Sequence, residues 1–429
     1  MQQFAGVIQA AMNEFSIIFL AALIGSALIR VLLALRHVRH ILAHRAQVPP
    51  AFVTAIPLNA HQKAADYSVA RTRLGVLETV VGAALLFALT LGGGLEWLSE
   101  AWSGAFAGGG YAHGIAVIAS LVVLAGAVNL PFTLYQTFVV EERFGFNRMT
   151  WGLFVADMLK SAAVGAALGG PLLLLVLWLM ARMGDAWWIY TWLAWMAFNL
   201  LVLSLYPTLI APIFNRFRPL EDAEIKARVQ RLLAKCGFRA RGVFVMDGSR
   251  RSSHGNAYFT GFGAAKRIVF FDTLLSRLAP GEIEAVLAHE LGHFKLRHVL
   301  KRILWLFGAS LAMLALMGWL IKQGWFYTGL GVQTPSTAIA LALFFLVLPV
   351  FTFPLSPIGS LYSRRHEYEA DAYAAANADG RDLVSALVKL YQDNASTLTP
   401  DPVHSAFYDS HPPAALRIDR LRQRTRVAA

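Results

Sequence analysis

The feature that most constrains this chain is a set of seven apolar stretches, each long enough to cross a bilayer as a helix. A helix needs about 20 apolar residues to span the hydrocarbon core. Hydrophobic residues make up 57% of the 429 residues and charged residues only 15%, which argues against a disordered chain, a coiled coil or an ordinary soluble enzyme. The stretches lie near Phe15–Leu35, Leu74–Leu91, Ile115–Val140, Trp151–Met180, Trp187–Ile210, Ile303–Ile321 and Ala338–Leu361.

Basic residues indicate how the chain is oriented in the membrane. Lys and Arg in short loops mark the cytoplasmic side. They cluster after the first, third, fifth and seventh stretches, whereas the loop 92–112 carries two Glu and no base. We therefore expect an integral, multi-pass protein whose regions 213–300 and 362–429 face the cytoplasm, in the inner membrane if bacterial or the ER membrane if eukaryotic. The net charge of +12 would collect at that surface, so nucleic acid is not needed to explain it.

Between the fifth and sixth stretches the composition changes to that of a small water-facing unit. We expect a helix over Glu221–Cys236 and strands over Gly242–Met246, Asn256–Thr260 and Arg267–Asp272. A further helix should start near Pro280 and run on into the sixth stretch. Because Cys236 is the only cysteine, a disulfide framework and a cysteine-based metal cluster are excluded.

The helix that starts near Pro280 contains a metal-binding motif. His289 and His293 are four residues apart, which places them one turn apart on one helix face, so both imidazoles can reach one metal ion. Glu290 follows the first ligand and would lie beside the water that the metal binds. A metal lowers the pKa of such a water, and a neighbouring carboxylate can take the proton. The alternative is an amphipathic helix whose His and Glu merely face water.

A third ligand is predicted just beyond the seventh stretch, where Glu367 and Asp371 share one helix face. Glu367 would bind the metal. Asp371 would accept the free ring N–H of a ligating His and fix its tautomer, although a local salt bridge with Arg364 or Arg365 is the alternative. Glu369 competes with Glu367 for the ligand role but projects from a different face. Two imidazoles, one carboxylate and a water form the open pattern of catalytic zinc.

Five segments, in this order, resemble the type I CAAX prenyl protease family of integral membrane zinc metallopeptidases. They are EERFGFNRMT at 141–150, NAYFTG at 256–261, AHELGH at 288–293, SRRHEYEADAYA at 363–374 and SHPP at 410–413. The resemblance implies that His289, His293 and Glu367 bind zinc and that Glu290 is the catalytic glutamate. It also implies that Asn256 holds the substrate backbone and that His411 binds substrate or stabilises the oxyanion. The alternatives are a turn residue for Asn256 and a loop residue for His411.

The same resemblance implies a mainly helical fold in which seven transmembrane helices ring an intramembrane chamber, capped by a small α+β, zincin-like domain. Asp157 and Lys160 could face such a chamber, or could form a local pair three residues apart. The C-terminal arginines are expected near anionic headgroups or on a solvated helix face. They are Arg417, Arg420, Arg422, Arg424 and Arg426.

Together these observations predict a membrane zinc metalloendopeptidase with one Zn²⁺ per chain. Residues 1–212 would form an N-terminal membrane domain of five spans. Residues 213–429 would form the metallopeptidase domain with spans six and seven and a basic tail. The resemblance implies cleavage near the C-terminus of prenylated CAAX proteins, in contact with the lipid bilayer and with no nucleic-acid partner. The alternatives are a general quality-control protease for membrane proteins and a non-catalytic membrane scaffold, and the oligomeric state is left open.

Overall fold

The computed structural model describes residues 13–106, 110–238, 242–260 and 267–427. Within these ranges, seven helices are long and apolar enough to cross a membrane, so the seven predicted stretches are confirmed as helices. We call them the first to seventh spans. They are Glu14–Ala43, Leu58–Leu89, Gly110–Glu141, Trp151–Arg182, Gly184–Phe214, His298–Leu320 and Thr337–Asn377.

Shorter helices connect the spans and build the water-facing part. The third and fifth spans each contain a π-helical turn, Gln136–Glu141 and Tyr206–Ile210. The short helices outside the spans are Gly94–Ser103, Ala223–Lys235, Asp272–Leu275, Pro280–Lys295, Gly324–Thr328, Gly380–Asp393, Pro402–Tyr408 and Ala414–Val427.

The seventh span breaks where its prolines predict. An apolar helix, Thr337–Thr352, ends in a 3₁₀ turn at Phe353–Leu355, and a polar helix, Ser356–Asn377, follows. Proline removes a backbone donor and disfavours an uninterrupted α-helix, which accounts for the break. The polar helix carries Glu367 and Asp371, and we call it the ligand helix.

A four-stranded sheet lies in the water-facing part, with strand order β1-β2-β4-β3. The strands are β1 Phe217–Pro219, β2 Gly242–Met246, β3 Ala257–Thr260 and β4 Arg267–Phe271. β2 and β4 are parallel, and the other two pairs are antiparallel. The last three strands match the prediction to within one residue at each end. β1 was not predicted because three residues that include Pro219 carry no alternation to recognise. β3 lies at an edge of this sheet.

The helix Pro280–Lys295, the motif helix, packs against the ligand helix and the helices Ala223–Lys235 and Gly380–Asp393. Its buried face includes Ile283, Leu287 and Leu291. The prediction that it runs on into the sixth span is wrong. Arg297 has a φ of 58°, in the left-handed region, and the sixth span starts as a new helix at His298. This turn brings His298 back beside the motif helix.

Gly292 allows the motif helix and the ligand helix to approach closely. A Cβ atom at Gly292 would lie 3.0 Å from Ala370 Cα and 3.1 Å from Tyr373 Cβ. Both neighbours belong to the ligand helix, and the first is backbone that cannot rotate away. The distance between the two helices therefore depends on the absence of a side chain at this position.

We predict that Gly292→Val separates the two helices, because overpacking of this kind destabilises a fold by about 1–3 kcal/mol. The expected result is a lower unfolding temperature in detergent and a lower metal content after purification. Gly308→Val is the control, since a Cβ at Gly308 in the sixth span would meet no heavy atom within 4 Å. Full metal content in Gly292→Val would contradict the prediction.

Candidate metal centre

Three side chains from the motif helix and the ligand helix converge on one point. The Nε2 atoms of His289 and His293 are 3.3 Å apart. Glu367 Oε2 lies 3.5 Å from His289 Nε2, and Glu367 Oε1 lies 3.4 Å from His293 Nε2. Zinc bonds of 2.0–2.2 Å in tetrahedral geometry place neighbouring ligand atoms about 3.3–3.6 Å apart. The separation of the two imidazole nitrogens fits two ligands of one zinc ion, and the Glu367 carboxylate presents one oxygen to each ring, so the three residues can bind a single ion together.

His289 is oriented by a buried carboxylate. Its Nδ1 lies 2.9 Å from Asp371 Oδ1, on the ring edge opposite the metal-facing nitrogen. Burial lowers the pKa of His289, but the hydrogen bonds with Asp371 and Glu367 outweigh it and raise that pKa to about 9. A proton therefore competes with a metal ion for this ring, because a ligating imidazole must be neutral.

Arg417 completes this arrangement, a role that the sequence did not predict. Its Nε donates to Asp371 Oδ2 at 2.9 Å and its Nη2 donates to Asp371 Oδ1 at 2.6 Å. Its Nη1 lies 3.8 Å from Glu367 Oε2. The expectation that Arg417 faces lipid headgroups or solvent is wrong, since the residue is 6% exposed. A buried aspartate needs a cationic partner, so the prediction of Asp371 beside the metal also indicated a nearby basic residue. Nothing in the local sequence distinguished Arg417 from the other four arginines of the tail.

His293 is held by a second, separate series of polar contacts. If His293 binds a metal through Nε2, its neutral ring carries the hydrogen on Nδ1. That nitrogen lies 3.0 Å from His298 Nδ1, which must then accept the hydrogen bond. His298 Nε2 in turn lies 3.0 Å from Glu369 Oε2, and Arg365 Nε donates to Glu369 Oε1 at 3.0 Å. Glu369, the competitor for the ligand role, thus contacts His298 instead of the metal position.

His298, His366 and Glu369 could at first sight form a second metal site. The two imidazole rings, however, are stacked 4.0 Å apart with an angle of 9° between their planes. Lone pairs in two stacked, parallel rings run side by side and do not converge on one ion. Both nitrogens of His298 also face His293 and Glu369. Among the described residues, we therefore assign a single metal position to His289, His293 and Glu367.

Two cavities meet at this centre, and Glu290 and His411 line both of them. The larger has a volume of about 580 Å³ and the smaller about 290 Å³. Burial raises the pKa of Glu290, which suits a carboxylate that must take and hold a proton. His411 Nε2 lies 3.5 Å from Glu367 Oε1, although the side chain is 60% exposed. The predicted residue at the chain's SHPP segment is therefore next to the metal position.

Strand β3 runs beside both cavities. Asn256 and Ala257 line the smaller cavity, and Tyr258 and Phe259 line the larger. The Asn256 side chain accepts a hydrogen bond from Ala257 N at 2.8 Å, and its carbonyl accepts one from Phe271 N in β4 at 3.0 Å. Asn256 is exposed, so its amide group is accessible from the cavity side. An edge strand in this position can pair with an extended peptide.

Comparison with known proteins agrees with this geometry along most of the chain. Residues 37–216 match the family of CAAX prenyl protease N-terminal domains with five membrane helices, and residues 219–425 match peptidase family M48. The CAAX prenyl protease 1 homolog of Arabidopsis thaliana is 37% identical over 317 residues, which are 72% of this chain and 73% of that protein. CAAX prenyl protease 1 of Saccharomyces cerevisiae is 35% identical over 326 residues, 72% of each chain.

The crystal structure of S. mikatae Ste24p superimposes with a TM-score of 0.89 at 31% sequence identity, covering 96% of this chain and 99% of that one. The chain belongs to peptidase family M48. This M48 peptidase is thus a polytopic membrane metallopeptidase that hydrolyses peptide or protein substrates, as the sequence predicted. The mainly helical fold with seven membrane helices and a small sheet is confirmed as well.

We predict that His298→Phe weakens metal retention in this M48 peptidase. Phenylalanine preserves the stack on His366 but removes the acceptor for His293 Nδ1–H, and loss of such outer partners reduces metal affinity about 10–100-fold. Zinc release to a chromophoric chelator should accelerate accordingly. His366→Phe keeps the same stack and leaves the series of polar contacts intact, so it should release zinc like the unmodified protein. Equal release from both variants would rule out the role of His298.

We also predict that zinc affinity rises with pH between 6 and 8. Because the pKa of His289 is raised to about 9, its ring is protonated throughout this window and must lose a proton when zinc binds. The affinity should then increase by about tenfold per pH unit for each proton displaced. Titration of metal-stripped protein in zinc buffers at several pH values measures the slope. A flat dependence would show that no proton is displaced.

Proposed function

We propose that this chain is a zinc endopeptidase that cleaves prenylated proteins near a C-terminal CAAX sequence. The observation that carries the proposal is the convergence of His289, His293 and Glu367: the two imidazole nitrogens lie 3.3 Å apart, and each lies 3.4–3.5 Å from one Glu367 carboxylate oxygen, next to Glu290 and an edge strand. The names of the similar proteins from Arabidopsis thaliana and Saccharomyces cerevisiae support the CAAX substrate class.

The proposed division of labour follows from the contacts. When bound to these three residues, zinc would polarise the scissile carbonyl and lower the pKa of a coordinated water. Glu290 takes a proton from the attacking water. Because burial raises its pKa, the carboxyl group can keep that proton until it passes it to the leaving amine. Asp371 and Arg417 keep the His289 ring in place, and His298 does so for His293.

His411 and β3 are proposed to handle the substrate. His411 reaches the metal position from the exposed side of the cavities, where its ring N–H can donate to the developing oxyanion. The peptide backbone pairs with the free edge of β3, and the Asn256 amide holds it near the boundary between the two cavities. The larger cavity accepts the bulky apolar group, since Tyr258, Trp305, Leu306, Ile358 and Tyr362 are among its lining residues.

The placement in the membrane also forms part of the proposal. The distribution of Lys and Arg supports a cytoplasmic face for the metal centre. We retain the division at residues 212 and 213, with spans six and seven in the peptidase domain, and one Zn²⁺ per chain. We also retain the intramembrane chamber as part of the proposal. A cavity of about 190 Å³ between the first, second and seventh spans has a mainly apolar lining but includes Arg30 and Glu78, and charged residues within spans are candidates for such a lining.

The decisive experiment compares two peptides that differ only in prenylation. The purified protein in detergent is incubated with a farnesylated CAAX peptide and with its unprenylated twin. We expect zinc-dependent cleavage with a strong preference for the farnesylated peptide. Glu290→Gln should bind zinc normally but lose activity by a factor of about 10²–10⁴, the usual contribution of a general acid–base group.

The other outcomes separate the alternatives. Equal cleavage of both peptides would favour a general quality-control protease for membrane proteins. Cleavage of neither peptide by the zinc-loaded protein would contradict the CAAX proposal and favour a scaffold role. Activity retained in Glu290→Gln would contradict the proposed base, and normal zinc content in His293→Ala would contradict the ligand assignment.

A further inference from the structure

The segment EERFGFNRMT, residues 141–150, carries part of the family resemblance. The structure describes all ten residues, and none of them belongs to the metal centre described above. The segment begins at the end of the third span and turns sharply at Gly145, whose φ is 75°. Gly145 N donates to Glu142 O at 2.9 Å and Phe146 N donates to Glu141 O at 2.8 Å, as at many helix ends. Phe146 is buried beside Tyr67. We call residues 141–148 the anchor loop.

The anchor loop pairs with the backbone that leads into β3. Asn147 and Ser252 form an antiparallel bridge. Ser253 N donates to Phe146 O at 3.1 Å, and Arg148 N donates to Arg251 O at 3.1 Å. Residues 251–253 are therefore fixed to the membrane domain by main-chain hydrogen bonds. The proposed substrate contact at Asn256 follows three residues later.

Arg251 adds a charged contact to the fourth span. Its Nε and Nη2 donate to the two carboxylate oxygens of Asp157 at 2.8 and 3.0 Å. The remaining donors reach Phe214 O at 2.7 Å and Asn215 Oδ1 at 2.9 Å, at the end of the fifth span. Asp157 thus pairs with Arg251 rather than with Lys160. A bidentate guanidinium–carboxylate pair fixes orientation as well as distance.

Glu141 makes a comparable contact with His254 from the π-helical turn of the third span. Glu141 Oε1 accepts hydrogen bonds from Tyr67 Oη at 2.5 Å and Gln136 Nε2 at 2.7 Å, and its Oε2 lies 3.5 Å from His254 Nε2. On the other ring edge, His254 Nδ1 lies 3.2 Å from Asn394 Oδ1. π-Helical turns within α-helices often occur at functional sites, and this one directs a carboxylate at the approach to β3.

We propose that Asp157–Arg251 and Glu141–His254 are positioning contacts, through which the third and fourth spans set the place of Asn256 and β3 and hence the affinity for an extended peptide. This inference rests on the substrate role of β3 proposed above. β3 has four residues and pairs with β4 on one side, and among the described residues no strand pairs with its other edge, where the peptide would bind. Fixing the start of so short a strand preorganises that edge relative to His289 and Glu367, which belong to other elements.

The test uses the full chain in lipid nanodiscs, with the farnesylated CAAX peptide as the probe. Arg251→Met removes the contact with Asp157, and Glu141→Gln removes the charge opposite His254 while keeping the side-chain shape. We expect KM to rise about tenfold or more in both variants, because a shifted strand loses substrate contacts. kcat should fall much less, and zinc content and zinc release should match those of the unmodified protein.

Asp66→Asn is the matched control. Asp66 forms a bidentate pair with Arg45, with Nε–Oδ1 and Nη2–Oδ2 distances of 2.8 Å. It directly precedes Tyr67, which contacts Glu141, but its carboxylate is paired with Arg45 and not with residues 251–256. Its KM should stay unchanged. If thermal unfolding shows that Arg251→Met does not fold, the KM values of Arg251→Lys and Glu141→Gln test the inference instead.

An unchanged KM in the folded Arg251 and Glu141 variants overturns the inference. A joint loss of kcat and zinc also overturns it, since that pattern would reflect a general structural role. Asn256→Ala separates this failure from a failure of the proposed function. A raised KM in Asn256→Ala, with normal KM in the other two variants, overturns only the positioning role. An unchanged KM in Asn256→Ala removes the substrate role of β3, and this inference with it.

Discussion

The close contact between the motif helix and the ligand helix at Gly292 is the constraint on which the metal centre depends. It brings two buried carboxylates, Glu367 and Asp371, against the two imidazoles of the other helix. A buried carboxylate is destabilising unless it is paired, and here each has imidazole and guanidinium partners. Because Glu367 and Asp371 are one turn apart, a single helix–helix contact provides both the proposed metal ligand Glu367 and the carboxylate of Asp371 that contacts the His289 ring.

The break in the seventh span determines where that contact occurs. The helix Thr337–Thr352 carries no charged residue, whereas the ligand helix carries two arginines and three acidic residues between Arg364 and Asp371, in its middle. Charged side chains are disfavoured in hydrocarbon, so the 3₁₀ turn Phe353–Leu355 separates a segment suited to lipid from one suited to a polar interior. Since the two segments are continuous, the height of Glu367 relative to the bilayer is fixed by the span that precedes it. His298, the first residue of the sixth span, is fixed in the same way.

Sequence reasoning reached those parts of the site whose geometry is local. Spacing of four residues within one helix predicts that His289 and His293 share a face, and the same holds for Glu367 and Asp371. The proline content predicted the break in the seventh span. Arg417 and the pair Asp157–Arg251 were not predicted, because their partners lie 46 and 94 residues away in the chain. His298 was missed for a different reason: it contacts His293, five residues away, only because the helix breaks at Arg297, and that break was not predicted. In each case the local sequence shows only a basic or acidic residue near an interface, which is compatible with many contacts.

These long-range contacts explain why the peptidase part is built into the membrane part. The third and fourth spans hold the approach to β3, the sixth span begins with the residue that supports His293, and the seventh continues as the ligand helix. Strand β3 and the proposed metal ligands are therefore attached to different spans of one helical assembly. A relative shift between the fourth and seventh spans would move β3 with respect to Glu367, although each element kept its own structure.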